Sequence, residues 1–107
     1  MSAAGQLRER VTIEVPTRVS DGTGGESVSW SALATVWAEV ASLSGSEVTQ
    51  GERDEARGRF TVTMRHRDDL SAEMRLVWRG QVLNIRGLHD PDGRRRWLAV
   101  NAEGGVA

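Results

Sequence analysis

The sequence predicts an all-β fold, a small antiparallel β-barrel or sandwich of about six to seven strands with a long polar loop between the third and fourth strands. Apolar residues recur at every second position in several short runs, and Gly, Pro and Asp turn signals bound those runs. A chain of 107 residues is long enough for one modest core and too short for two, so residues 1–107 read as a single domain.

Val11, Ile13 and Val15 alternate with Thr12 and Glu14, which predicts a strand near 10–16. The run 20–25 then breaks the pattern with Asp21, Gly22, Gly24 and Gly25, and Val28 and Trp30 resume it with Ser27 and Ser29 between. Two alternating runs around a glycine-rich tip predict a β-hairpin whose second strand lies near 27–33. A third strand near 35–42 carries Val36, Trp37, Ala38, Glu39 and Val40. Further strands are expected near 58–66, where Phe60, Val62 and Met64 share a face, and near 74–79, where Met74, Leu76 and Trp78 do. Arg79 and Gly80 make a tight turn into a strand near 81–88, and Asp90, Pro91, Asp92 and Gly93 form a strong turn before a last strand near 95–102. One polar and one apolar face per strand suits an antiparallel sheet curled around one core.

Residues 43–58 stand apart. They hold almost no large apolar side chain, several glycines, and the charges Glu47, Glu52, Arg53, Asp54, Glu55 and Arg57, so they cannot bury enough surface to join a core. A connection this long is either a passive surface loop or a functional one. One or two helical turns over 47–56, capped by Ser46 and weakened by Gly51, are a further option.

Composition narrows the function. The absence of cysteine excludes disulfides and thiolate metal sites and suits a reducing cytoplasm. The first residues lack the pattern of a signal peptide, and no apolar run approaches the roughly 20 residues of a membrane span, so a soluble protein with no membrane partner is expected. With 14 basic and 15 acidic residues there is no excess positive field for nucleic acid. Every basic residue is arginine, which fits either GC-rich codon bias or a preference for bidentate pairing across interfaces.

No catalytic constellation is visible, and neither a cofactor nor a metal is expected. His66 and His89 sit in different turns without a partner at ligand spacing, and the serines have no plausible base. Asp68 and Asp69 read as turn residues before a brief helical turn at 70–73. The glycines at 22, 24 and 25 join strand to strand, whereas a phosphate-cradling loop joins strand to helix. Arg94, Arg95 and Arg96 lie beside Asp90 and Asp92, so they balance their own hairpin or an acidic neighbour rather than phosphate. Trp30 and Trp78 fall in phase with apolar faces and are expected in the core. Trp37, beside Glu39, and Trp97 fall on the opposite face, where either the chain's own loop or another subunit would cover them.

The order of these pieces resembles the phage head-tail joining proteins, stopper or adaptor subunits of tailed phages and gene transfer agents. The matching features are the lead-in Leu7, Arg8, Glu9 and Arg10, the Asp21 to Gly25 tip, the Trp30 strand, the Val36 to Val40 run, Leu43 with Gly45 and Glu47, and the second-half strands closing after Asp92. The resemblance implies a virion protein, not an enzyme, assembled in the bacterial cytoplasm and sited at the head-tail junction. It implies a sixfold or twelvefold homo-oligomeric ring, with a portal or adaptor ring above and a tail terminator or tail tube below. Packaged DNA would pass through without sequence-specific binding, and the charged 43–58 loop would project toward the channel. Trp37, Glu39, Trp97 and Arg94 to Arg96 are the expected contacts with subunits or partners. A small nucleic-acid- or ligand-binding barrel is the alternative, and it requires basic and aromatic residues gathered on one exposed face.

Overall fold

The computed structural model describes residues 7–43 and 58–104. Six antiparallel strands make one sheet that closes on itself in the order β1-β2-β3-β6-β5-β4. They are β1 (Glu9–Ser20), β2 (Glu26–Ser42), β3 (Arg59–Arg65), β4 (Arg75–Trp78), β5 (Gln81–His89) and β6 (Trp97–Gly104). The all-β expectation of about six to seven strands holds, with six. The strands expected near 27–33 and 35–42 are one continuous β2, so the polar segment joins the second and third strands, not the third and fourth.

A bulge explains the apparent break. Ile13 pairs with Ala34 and Glu14 with Ala32, which leaves Leu33 as the extra residue on β2. Because side chains alternate with a period of two, one extra residue exchanges the faces beyond it. Ala34, Val36 and Ala38 follow the inner face, whereas Trp30 is moved to the outer one. The expected core position of Trp30 is therefore wrong. Its ring is half-buried outside the barrel, with the Arg75 guanidinium 4.2 Å from its centroid. Trp78 does pack against the core, edge-on to Phe60 with centroids 5.5 Å apart.

The inner face carries the expected alternation: Val11 and Ile13, Val62 and Met64, Leu76, Leu83, Ile85 and Val100 are all buried. A second bulge on β5 sets Arg86 outside the ladder, where it meets Glu103 at 2.9 Å, and turns Leu88 back onto the core. Closure between β1 and β4 pairs residues 11–14 with 75–78. At that seam Glu9 accepts hydrogen bonds from Trp78 Nε1 at 2.9 Å and from the Arg79 guanidinium, and the Trp78 bond is the main cause of its lowered pKa.

The turns follow their sequence signals. Arg79 and Gly80 both have positive φ, 55° and 78°, as a two-residue hairpin loop requires. Ser71 organises the turn before β4, accepting from Met74 N through its carbonyl and from Glu73 N through its hydroxyl. The last strand starts at Trp97 rather than 95, since Gly93 and Arg95 have positive φ and belong to the turn.

Strand β1 continues to Ser20, past Pro16 where its end was expected. Only residues 11–14 of β1 pair with β4, and only residues 38–42 of β2 pair with β3. Beyond those limits β1 and β2 pair only with each other, and this two-stranded arm leaves the closed sheet. Pro16 lacks a backbone donor but sits on a strand with a free side, so no ladder bond is lost.

Candidate functional site

Neighbouring strands are all antiparallel, so successive connections alternate between the ends, and the β3–β4 connection crosses over one end because β3 pairs with β6 and β4 with β1. The arm, the β3–β4 connection and the β5–β6 turn leave one end, while the β2–β3 and β4–β5 connections leave the other. The expected contact residues gather toward the arm's end. Ala38, Met64 and Leu98 form an inner row across β2, β3 and β6, and the adjoining outward positions are Trp37, Arg65 and Trp97. Trp37 is 53% exposed with Arg10 4.8 Å from its ring, and Arg65 lies 5.0 Å from the half-buried ring of Trp97. Glu39, two residues from Trp37 on the same outward face of β2, is half-buried and opposite Thr63.

Between Trp37 and Arg65 opens a cleft of about 690 Å³, lined by Leu7, Arg8, Val36, Trp37, Arg65, His66 and Arg67. It lies where β2 runs on past its pairing with β3. Sequence reading missed it because it joins residues far apart in the chain; the consecutive charges 65–69 were the available signal. Arg67 forks onto Asp69 at 2.9 and 3.0 Å, and that bond is the main cause of the lowered Asp69 pKa and the raised Arg67 pKa.

The arginine triplet packs largely against its own turn. Asp90 accepts from the Gly93 and Arg95 amides, Asp92 from the Arg94 amide and the Arg96 guanidinium, and Arg95 reaches Asp68 at 3.4 Å. The Arg94 amide is the first cause of the lowered Asp92 pKa, with the Arg96 guanidinium second. Of the two histidines, His66 Nδ1 stands 3.7 Å from Asp68.

The hairpin tip is organised by one carboxylate. Asp21 Oδ1 accepts from Thr23 N, Thr23 Oγ1 and Gly25 N at 2.9, 2.9 and 3.1 Å, and the Thr23 amide is the largest cause of its lowered pKa. Gly22 and Gly24 take φ of 84° and 92°, and a Cβ on Gly25 would come within 2.8 Å of Asp21 Oδ2. Glu47, Glu52, Arg53, Asp54, Glu55 and Arg57 lie outside the described residues. Among the described residues no group of three or more His, Cys, Asp or Glu could hold a metal ion.

A closed barrel with a projecting two-stranded arm, an outward tryptophan and ion-paired turns defines a class of small all-β domain. Known proteins make the class specific. The sequence profile described as phage head completion protein matches residues 3–105. Head completion protein gp7 of Enterobacteria phage HK97 is 39% identical over 88 residues, spanning 78% of this chain and 79% of that protein. A chain in the virion of a native gene transfer agent particle superposes with a TM-score of 0.72 at 27% identity, covering 94% of this chain and 97% of that one. The solution structure of a Shigella flexneri 2a protein gives a TM-score of 0.74 at 31% identity, over 98% of each chain. The chain belongs to the phage head completion protein family, a family of structural virion proteins, and the resemblance to head-tail joining proteins holds.

Proposed function

We propose that copies of this chain form a ring at the head-tail joint of a phage or gene transfer agent, seated on a portal or adaptor ring and receiving the tail. The likeness over almost the whole chain to a chain of a gene transfer agent virion carries this reading. The two-ended barrel supports it, since a joint needs distinct surfaces toward head and tail. Trp37, Trp97 and the turn with Arg94, Arg95 and Arg96 serve contacts near one end. The 43–58 segment, at the other, lines the channel and narrows it. Its four acids and two bases limit adhesion to passing DNA, because each phosphate contact by a base slows transit.

Cryo-imaging of particles lacking the protein tests the reading. Untailed heads, or heads that leak DNA, are expected; normally tailed, filled particles would refute it. Replacing residues 45–56 with a brief Gly-Ser linker should keep the barrel folded and let DNA escape from tail-less heads. A nucleic-acid-binding barrel is favoured by one observation, the cleft that joins Trp37 to Arg8, Arg65 and Arg67. DNA retained by the purified protein, and released by salt, would support that alternative.

A further inference from the structure

The arm has two open backbone edges, and they are not alike. Along residues 26–37 the outer side of β2 receives no backbone hydrogen bond from any described residue, and the same is true of the outer side of β1 along 15–20. Proteins blunt such edges with charges, proline or short length, because unpaired N–H and C=O groups invite another strand. The β1 side carries Pro16 and Arg18. These disfavour the meeting of two like β1 edges, since the two arginines would repel and the prolines lack donors, and leave this side open to an uncharged edge. The β2 side carries no charge and no proline from 27 to 37, and Leu33, at the bulge that divides it, is 40% exposed. Val28 and Val19, on opposite faces of the arm, are 46% and 52% exposed.

We infer that residues 27–32 of β2 pair antiparallel with residues 15–20 of β1 in a second copy of this chain, so that neighbouring arms join into one intermolecular sheet. The occupant must bring an extended strand with an open side, of similar length and running the opposite way. Among the described residues the β1 side along 15–20 is an open strand of that length on the projecting arm, and a β2 edge meeting its like would use up the same edge of both copies and close a dimer rather than a ring. Copies related by rotation about an axis running along the arms point them the same way, which sets β2 of one beside β1 of the next in antiparallel sense. The contact is heterologous, and one rotation repeated closes it into a ring with every edge used once. Arg18 of one copy then reaches the outer face that carries Val28 and Trp30 of the next. Arg18 is available for this, since its Glu26 partner is 3.9 Å away and both side chains are more than half exposed. Main-chain bonds supply the adhesion and these side chains set the register. This inference rests on the ring proposed above.

The chain has no cysteine, so disulfide trapping has no background. Thr17→Cys in one chain is assembled into particles with a tagged second chain carrying Ser27→Cys, Ser29→Cys or Ser31→Cys. All four positions lie on the arm's inner face, and the three serines sample three registers. Strand neighbours at about 4.5 to 5.5 Å between Cα atoms meet disulfide geometry. Mixed disulfide dimers are expected in at least one pairing, none from any variant alone, and unchanged melting temperatures for each variant. Rings visible by cryo-imaging without any mixed dimer would overturn the inference while leaving the ring intact. Dimers from Thr17→Cys alone, or from a serine variant alone, would also overturn it, since they mean like edges meeting. Particles without a ring would remove the proposed function and this inference together.

Discussion

The barrel and the arm are built from the same two strands and are held by different forces. In the barrel every strand has a hydrogen-bonded neighbour on both sides, and Val11 and Ile13 are sealed against Leu76 and Val100. A few residues further along, the same chain has one neighbour and no interior. An isolated two-stranded ribbon is marginal in water, so the arm depends on what grips its root and tip. At the root Arg75 from β4 donates to Glu14 at 2.8 Å and stacks on Trp30. At the tip Asp21 gathers three donors. Apolar burial fixes the barrel, whereas a few polar contacts fix the arm's direction and leave its surface open.

The sharpest way to separate the two is to damage the core. Leu76→Ala should cost about 2–5 kcal/mol, seen as a lowered denaturation midpoint at unchanged slope, with arm and barrel unfolding together. Arg75→Met keeps bulk but removes a charged hydrogen bond and a cation–π contact, a loss of about 2 kcal/mol. Its signature should be regional: arm amides exchange faster with solvent while those of β3 and β6 stay protected. Equal loss of protection in both regions would show that the arm has no independent opening.

Acid offers a milder break. Asp21 has a depressed pKa in the fold, so its contribution is fully present above the ordinary aspartate range and fades as pH falls through the lowered value. Amide resonances of Thr23 and Gly25 should move with that titration before any core resonance does. The smallest effect on stability is expected from Trp37→Ser, whose side chain is over half exposed. Its melting temperature should stay within a few degrees of the parent while assembly into particles fails; a collapse in melting temperature would assign Trp37 to the core.

Much of the barrel was legible because burial writes a period of two into the chain, as at Val62 and Met64 or Leu76 and Trp78. The outward placement of Trp37 was legible for the same reason. Trp30 was misread because a bulge leaves no mark in composition: Ser31, Ala32 and Leu33 look like a gap between strands when they are one strand changing face. The length of the arm was hidden by Pro16, which reads as a terminator until the open side of β1 is known. The cleft was illegible because it needs Trp37 and Arg65 brought together by pairing that no local pattern encodes.

The seam between β1 and β4 also sets the order in which the chain can acquire its shape. The arm joins residues close in sequence and can zip within about 1–10 μs, as hairpins do. Closing the barrel must unite Glu14 with Arg75, 61 residues apart, and pairing over such separations is slow. During synthesis the hairpin can therefore form and reopen, with its uncharged β2 flank bare, while β4, which seals the cylinder and carries the Arg75 that grips the arm's root, is still being made. A cell producing many copies at once holds a population of half-closed chains with adhesive flanks. Folding yield should accordingly fall with expression rate, and slower translation between residues 43 and 75 should worsen it.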